Sequence, residues 1–264
     1  MDLGVKDRVV VVTGASKGIG RATAMQFARE GAHLVLNARG VEGLDRVAEE
    51  ARSLGGRVVA VVADLADESG AARVADGALA EFDRIDVLIN NVGGGGDAKR
   101  LLKLTNDDWQ QGFESNFFSA VRMTAACLPS MLDRGRGRIV HVSSTYGVEP
   151  GPLFGPYSAS KAALLNYSKN VARAYSGQGI LSNCVLPGVT VTERVAERAE
   201  TAAEAQGATP DEVMAKMMER DPIAMGRFGE PAEVAAAIVF LASDAASWIT
   251  GSALAVDGGT LRSI

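Results

Sequence analysis

Short runs that are apolar at every position alternate along this chain with longer stretches whose apolar residues recur every three or four positions. Residues 9–12 form the first run, and a helical stretch near 19–30 follows it. Runs at 34–36, 58–62 and 87–89 are each followed by a helical pattern, at 42–54, at 68–82 and from about 107 to 132. A fifth run at 138–142 precedes a helix from about 156 to 175, and runs at 180–186 and 253–256 complete the set. A strand that is apolar on both faces belongs in a sheet covered on both sides, which is the setting of parallel strands. Strict strand–helix alternation with right-handed crossovers winds such a sheet in both directions. The pattern therefore predicts an α/β fold in one domain over residues 1–264. It is a doubly wound parallel seven-stranded sheet with helices on both faces, a three-layer sandwich.

One segment breaks the rhythm. Residues 192–226 are charged and rich in Ala, Glu and Met, and lie between the sixth strand and the last helix. A solvated helical insertion and a lid over a substrate site both fit this composition. Long excursions from compact domains usually serve function, so a helical substrate lid at about 190–226 is the reading adopted.

Composition narrows the function classes. Of 264 residues, 47% are hydrophobic and 22% charged, ordinary for a globular chain, and the net charge of -5 argues against a nucleic-acid partner. Cys127 and Cys184 are not in a metal-ligand spacing, and His33 and His141 fall in strand-like runs, so no metal site is expected. No stretch approaches the ~18 apolar residues of a membrane span. Residues 1–7 carry no apolar signal region, so a cytoplasmic soluble enzyme is the expectation.

The first candidate chemistry follows the first strand, where Thr13, Gly14, Ala15, Ser16, Lys17, Gly18, Ile19 and Gly20 open a helix. Glycines let the backbone turn tightly and approach a pyrophosphate, and the helix offers it free N–H groups and a positive dipole end. Placed in the first strand–helix unit, the loop reads as a dinucleotide site. At the end of the second strand an acid would hold a ribose 2′-hydroxyl, whereas a base accommodates a 2′-phosphate. The chain has Leu36, Asn37, Ala38 and Arg39 there. With no acid, and with Lys17 adding charge, Arg39 points to NADP(H) rather than to a mere surface arginine.

The second candidate is Tyr157 with Lys161, four residues apart and so on one face of the predicted helix. An ammonium favours the phenolate and is expected to lower the Tyr157 pKa from its usual value of about 10. That brings it closer to working pH for proton exchange. Ser144 lies at the C-terminal end of a strand, where sites in such sheets gather, and its hydroxyl could hold a substrate oxygen. Ser143 competes with it for this part.

Taken in order, the Gly loop, Asn90-Asn91-Val92-Gly93, Asn116, Ser143-Ser144, Tyr157-Ser158-Ala159-Ser160-Lys161 and Pro187-Gly188 resemble the short-chain dehydrogenase/reductase family, single-domain type. The likeness runs from Thr13 to Gly259 and is greatest to members like the 3-oxoacyl-ACP reductases. It implies a Rossmann-type fold and catalytic Asn116, Ser144, Tyr157 and Lys161. Lys161 would also reach the nicotinamide ribose hydroxyls, and Asn116 would kink its helix and order a water. By family spacing Ser143 points away. Cofactor contacts implied beyond Gly14, Ser16, Lys17, Gly18, Ile19, Gly20 and Arg39 are Asp64 with its neighbour Leu65 at the adenine, and Asn90 and Gly93 on the adenosine side. Pro187, Gly188 and Val189 would border the nicotinamide and Thr192 its carboxamide, with Thr190 competing for that role. Val92 departs from the usual Ala.

The implied reaction is NADPH-dependent reduction of a ketone to a secondary alcohol, or its reverse, with Tyr157 as general acid/base. The implied assembly is a homotetramer, with helices 107–132 and 156–175 at one interface and the last strand at another. Substrate walls are expected from residues 94–102, 148–154 and 192–225. Pro150, Leu153, Phe154, Val195, Met214, Met217 and Met218 suggest an apolar pocket. No cluster of Lys or Arg on one helix suggests an acidic carrier protein, so a hydrophobic ketone and an acyl thioester both stay open. A non-catalytic NADP-binding module and an epimerase or dehydratase on the same fold are the rival readings.

Overall fold

In the computed structural model each apolar run becomes a strand, and the periodic stretches become helices. The structure describes residues 2–220 and 222–263. Met1, Asp221 (inside the expected 190–226 segment) and Ile264 lie outside the described residues. In chain order the first half runs β1 (Val9–Thr13), α1 (Gly18–Arg29), β2 (His33–Ala38), α2 (Val41–Arg52), β3 (Val58–Val62), α3 (Glu68–Phe82) and β4 (Val87–Asn90). Then come α4 (Asn106–Phe113), α5 (Ser119–Asp133), β5 (Gly137–Val142), α6 (Gly155–Tyr175) and β6 (Ile180–Pro187). The chain closes with α7 (Glu193–Gln206), α8 (Pro210–Arg220), α9 (Pro231–Ala242) and β7 (Ala253–Val256).

The seven-stranded sheet has the order β3-β2-β1-β4-β5-β6-β7, and every pairing is parallel. Alternating side chains feed two cores. Val10, Val12, Leu34 and Leu36 pack with α1, α2 and α9, whereas Val9, Val11, Val35 and Leu88 pack with α3, α5 and α6. Strand order reverses between β1 and β4, and ligands in such sheets bind at the carboxyl ends of the strands beside that reversal.

One expectation needs correction. The helix expected over 107–132 is divided: residues Glu114–Phe118 form a π-turn between α4 and α5, with Asn116 buried inside it. A wider turn of this kind takes one more residue than the α-helix allows, and it is common at functional sites. The segment after β6 forms α7 and α8 outside the sheet, with a small core of Ala199, Ala203 and Val213. Met214, partly buried, packs against that core. Thr192 caps α7 by accepting from the Val195 N–H, and Gly207 ends the helix with a φ of 61°. Among the described residues no helix is long and apolar enough to cross a membrane.

Candidate active site

Three loops meet at the carboxyl ends of β1, β4 and β6. In the first, Gly14 and Gly18 take φ values of 64° and 58°, which favour glycine. A Cβ at Gly20 would overlap the Gly14 carbonyl, so only glycine lets α1 start this close to the loop. Asn91, to which the sequence reading gave no task, braces the turn. Its Nδ2 donates to the carbonyls of Thr13 at 3.0 Å and Gly14 at 3.2 Å, and its N–H donates to Thr13 Oγ1 at 2.9 Å. Nothing local marks it out, because its partners lie nearly eighty residues earlier in the chain.

The donors of this loop face α7. The Gly18 N–H donates to Glu193 Oε2 at 2.8 Å, and Lys17 pairs with Glu197 Oε1 at 3.3 Å. Thr192 Cγ2 lies 3.1 Å from where a Gly18 Cβ would stand, which puts Thr192 beside the loop. Thr190 is turned away. It is buried and donates to the Gly188 carbonyl at 3.2 Å. Gly188 itself lies against Asp257, with Pro187 and Val189 on either side of it.

At the end of β2 the Arg39 side chain is 76% exposed, with Nη1 3.9 Å from Asp64 Oδ2. Asp64 also accepts from the Ala66 N–H at 3.0 Å. Asn37 is unavailable to a ligand: it is buried and donates to the Val61 and Ala63 carbonyls. Leu65 is buried in the core, and its carbonyl accepts from Arg122 Nη1 at 3.4 Å. Asn90 likewise turns inward, its Nδ2 bonded to Thr124 Oγ1 and His141 Nδ1, both at 3.2 Å. Gly93, expected on the adenosine side, stands beside Lys161 and Asn116. A Cβ there would stand 3.1 Å from Lys161 Nζ and collide with Asn116, so Gly93 borders the catalytic candidates.

Those candidates converge. The Ser144 hydroxyl, which accepts from the Tyr146 N–H at 3.2 Å, stands close enough to the Tyr157 hydroxyl to favour its ionised form, whereas Ser143 donates to the Lys161 carbonyl on the backbone of α6. The choice between adjacent serines is thus made by strand alternation. Lys161 is 3% exposed; its Nζ donates to the Val142 carbonyl at 2.7 Å and lies 5.8 Å from the Tyr157 ring centre. Burial pushes the Lys161 ammonium down to about 8. Asn116 Oδ1 accepts from the Gly94 N–H at 2.8 Å, and its Nδ2 donates to the carbonyls of Gly94 and Gly112.

One electrostatic expectation is reversed. Burial raises the Tyr157 phenol above its ordinary value of 10, and the Ser144 hydroxyl, Arg194 and Arg198 draw it back only in part. The Lys161 ammonium, itself desolvated and 5.8 Å from the ring centre, is not among the groups that draw the phenol down.

The mouth of the cleft is more polar than the sequence suggested. Tyr146 stacks on Phe154 at 5.7 Å and meets Tyr157 edge-on at 6.4 Å. Across from this aromatic wall, Arg194 donates to the Gly93 carbonyl at 3.0 Å and Arg198 donates to that of Gly96. The sequence reading missed Glu193, Arg194, Glu197 and Arg198, although their i, i+4 spacing was visible. Cys127 and Cys184 are buried free thiols, pushed up by burial to about 12 and about 11.

A family model described as enoyl-(acyl carrier protein) reductase matches residues 14–260. The uncharacterized oxidoreductase YvrD of Bacillus subtilis is 41% identical, over 100% of this chain and 100% of its own. The 3-oxoacyl-(acyl-carrier-protein) reductase FabG of Thermotoga maritima is 35% identical, over 97% of this chain and 98% of its own. Among solved structures, L-sorbose reductase of Gluconobacter frateurii, complexed with NADPH and L-sorbose, is similar with a TM-score of 0.95. It is 35% identical and the match covers 100% of both chains.

Proposed function

The chain belongs to the short-chain dehydrogenase/reductase family, and from that premise we propose an NADP(H)-dependent oxidoreductase that interconverts a ketone and a secondary alcohol. The observation that carries this reading is the convergence of Ser144, Tyr157 and buried Lys161, next to a glycine loop too tight for side chains. The cofactor fits that loop. Gly14 and Gly20 leave backbone room for a pyrophosphate, and the exposed Arg39 fork suits a 2′-phosphate. NADPH in the similar L-sorbose reductase supports the same choice. Asp64 is the candidate for the adenine, and Thr192 with Val189 for the nicotinamide end.

When bound, the reduced cofactor supplies hydride to the carbonyl carbon. The protein supplies the rest. Ser144 holds the substrate oxygen and stabilises the charge that develops on it. Tyr157 donates the proton, and the burial that raises its pKa keeps the phenol protonated at neutral pH. Lys161, lowered to about 8, exchanges protons near neutrality and would hold the ribose hydroxyls of the cofactor. Asn116 acts by position, since its side chain ties the π-turn to Gly94. Tyr146 and Phe154 form the apolar wall for the ketone, and α7 with α8 form the lid of a single catalytic domain.

The assembly proposed is a homotetramer, supported by β7, whose Ala253, Leu254 and Ala255 are exposed at the sheet edge, and by Trp248, 98% exposed. Sedimentation should give four times the 27.5 kDa chain mass, and a stable monomer would overturn it. The reading of function is tested by following NADPH and NADH absorbance with a panel of ketones, and their oxidised forms with the matching alcohols. Ketone-dependent oxidation of NADPH is expected, and no turnover with any pair of substrate and nucleotide would refute it.

A further inference from the structure

We propose that Arg194 and Arg198 form an anion-binding site at the mouth of the cleft, and that the substrate carries a carboxylate close to the carbonyl or hydroxyl on which Tyr157 acts. This rests on the oxidoreductase reading and narrows its substrate class.

The argument begins with helix geometry. Residues four apart share a face, so α7 presents Glu193 and Glu197 on one stripe and Arg194 and Arg198 on the next, about 100° round. The acidic stripe meets the glycine loop at Gly18 and Lys17. The basic stripe is thereby aimed at residues 93–96, where Arg194 donates to the Gly93 carbonyl and Arg198 to that of Gly96. Gly94 makes room for this: a side chain there would overlap the Arg194 guanidinium. The position is close to the chemistry, because Gly93 also borders Lys161 Nζ and Asn116. Phe154 and Arg198 lie at the same distance, 3.6 Å, from where a Gly95 Cβ would stand, so the aromatic wall and the second guanidinium flank one space.

Neither arginine has a carboxylate within ion-pair distance among the described residues, whereas nearby Lys17, Lys99 and Arg227 are paired with Glu197, Asp108 and Glu233. Each guanidinium has five N–H donors in a planar fork. One donor of each is assigned to a backbone carbonyl, and the remainder match the two oxygens of a carboxylate. Both charges also reach the Tyr157 hydroxyl and draw its pKa down against burial, which agrees with their placement. A purely structural role, holding α7 against the loop, would need only one donor from each and would not distinguish charged from neutral substrates.

The test compares 4-oxocyclohexanecarboxylate with its methyl ester, similar ketones that differ in charge, under NADPH. Wild-type kcat/KM should favour the acid about tenfold or more, the scale of one or two charge-assisted hydrogen bonds. That ratio should collapse toward one in Arg198→Gln and fall less in Arg194→Lys, which keeps the charge but loses the fork. Calorimetric titration with the unreactive cyclohexanecarboxylate and cyclohexanecarboxamide, with and without NADP⁺, gives a readout independent of turnover. Binding of the carboxylate, weakened at least tenfold in Arg198→Gln, supports the site. Equal treatment of acid and ester with unselective binding overturns the anion site and leaves the ketone reductase intact. Selective carboxylate binding without turnover of either ketone, or of any other carbonyl or alcohol with either nucleotide, refutes the reductase reading and keeps the anion site.

Discussion

The backbone N–H of Gly18 donates to the Glu193 carboxylate at 2.8 Å, so the start of α1 meets an anion supplied by the chain itself. A helix start favours negative charge there, and a cofactor pyrophosphate would compete for the same donor. Glu193→Gln keeps the hydrogen-bond acceptor and removes the charge. The dissociation constant for NADPH, read by its fluorescence, should tighten about two- to fivefold, the scale of a charge at a helix end. Weaker binding in the variant would show that Glu193 helps to seat the cofactor instead.

Tyr157→Phe removes the proton donor and leaves the ring against Tyr146. Loss of a general acid should lower kcat by about 10² to 10⁴-fold, with NADPH affinity nearly unchanged. A variant that keeps more than a tenth of the wild-type rate would remove Tyr157 from the mechanism.

Arg39 stands 76% exposed at the end of β2, with a distant partner in Asp64 and no acid of its own to address a ribose hydroxyl. Arg39→Asp exchanges phosphate recognition for hydroxyl recognition. The ratio of kcat/KM for NADPH to that for NADH should fall at least tenfold and pass below one. An unchanged ratio would place the cofactor selectivity elsewhere.

His141 is buried in β5, its pKa pushed from 6.5 to about 3 by burial, with the charge of Lys161 acting in the same direction. The unfolded chain takes up a proton below pH 6.5 that the folded chain refuses until about 3. Stability is therefore lost as pH falls through that window. His141→Gln removes this contribution. Urea midpoints at pH 7 and pH 5 should lie closer together in the variant than in the parent, and an equal drop in both would assign the acid sensitivity to other groups.

The architecture was legible because its signals are local. Apolar runs bounded by turns form buried parallel strands wherever they occur, and the Gly14–Gly20 loop has meaning through its place between a strand and a helix. Tyr157 and Lys161 could be paired from spacing alone, since both lie on α6. The sequence by itself thus determined the layered α/β plan, the phosphate loop and the Tyr–Lys face. Tertiary structure decided the rest. It chose Ser144 over Ser143 and Thr192 over Thr190 as neighbours of the site, turned Asn90 inward, and placed Gly93 next to Lys161. It also raised the Tyr157 phenol where a lowered one was expected, because desolvation depends on everything packed around a group and not on the nearest charge in sequence. The contacts of Glu193 and Arg194 reach 175 and 101 residues back along the chain. Only the winding of the sheet about β1 and β4 brings such segments together, and no local periodicity encodes that meeting.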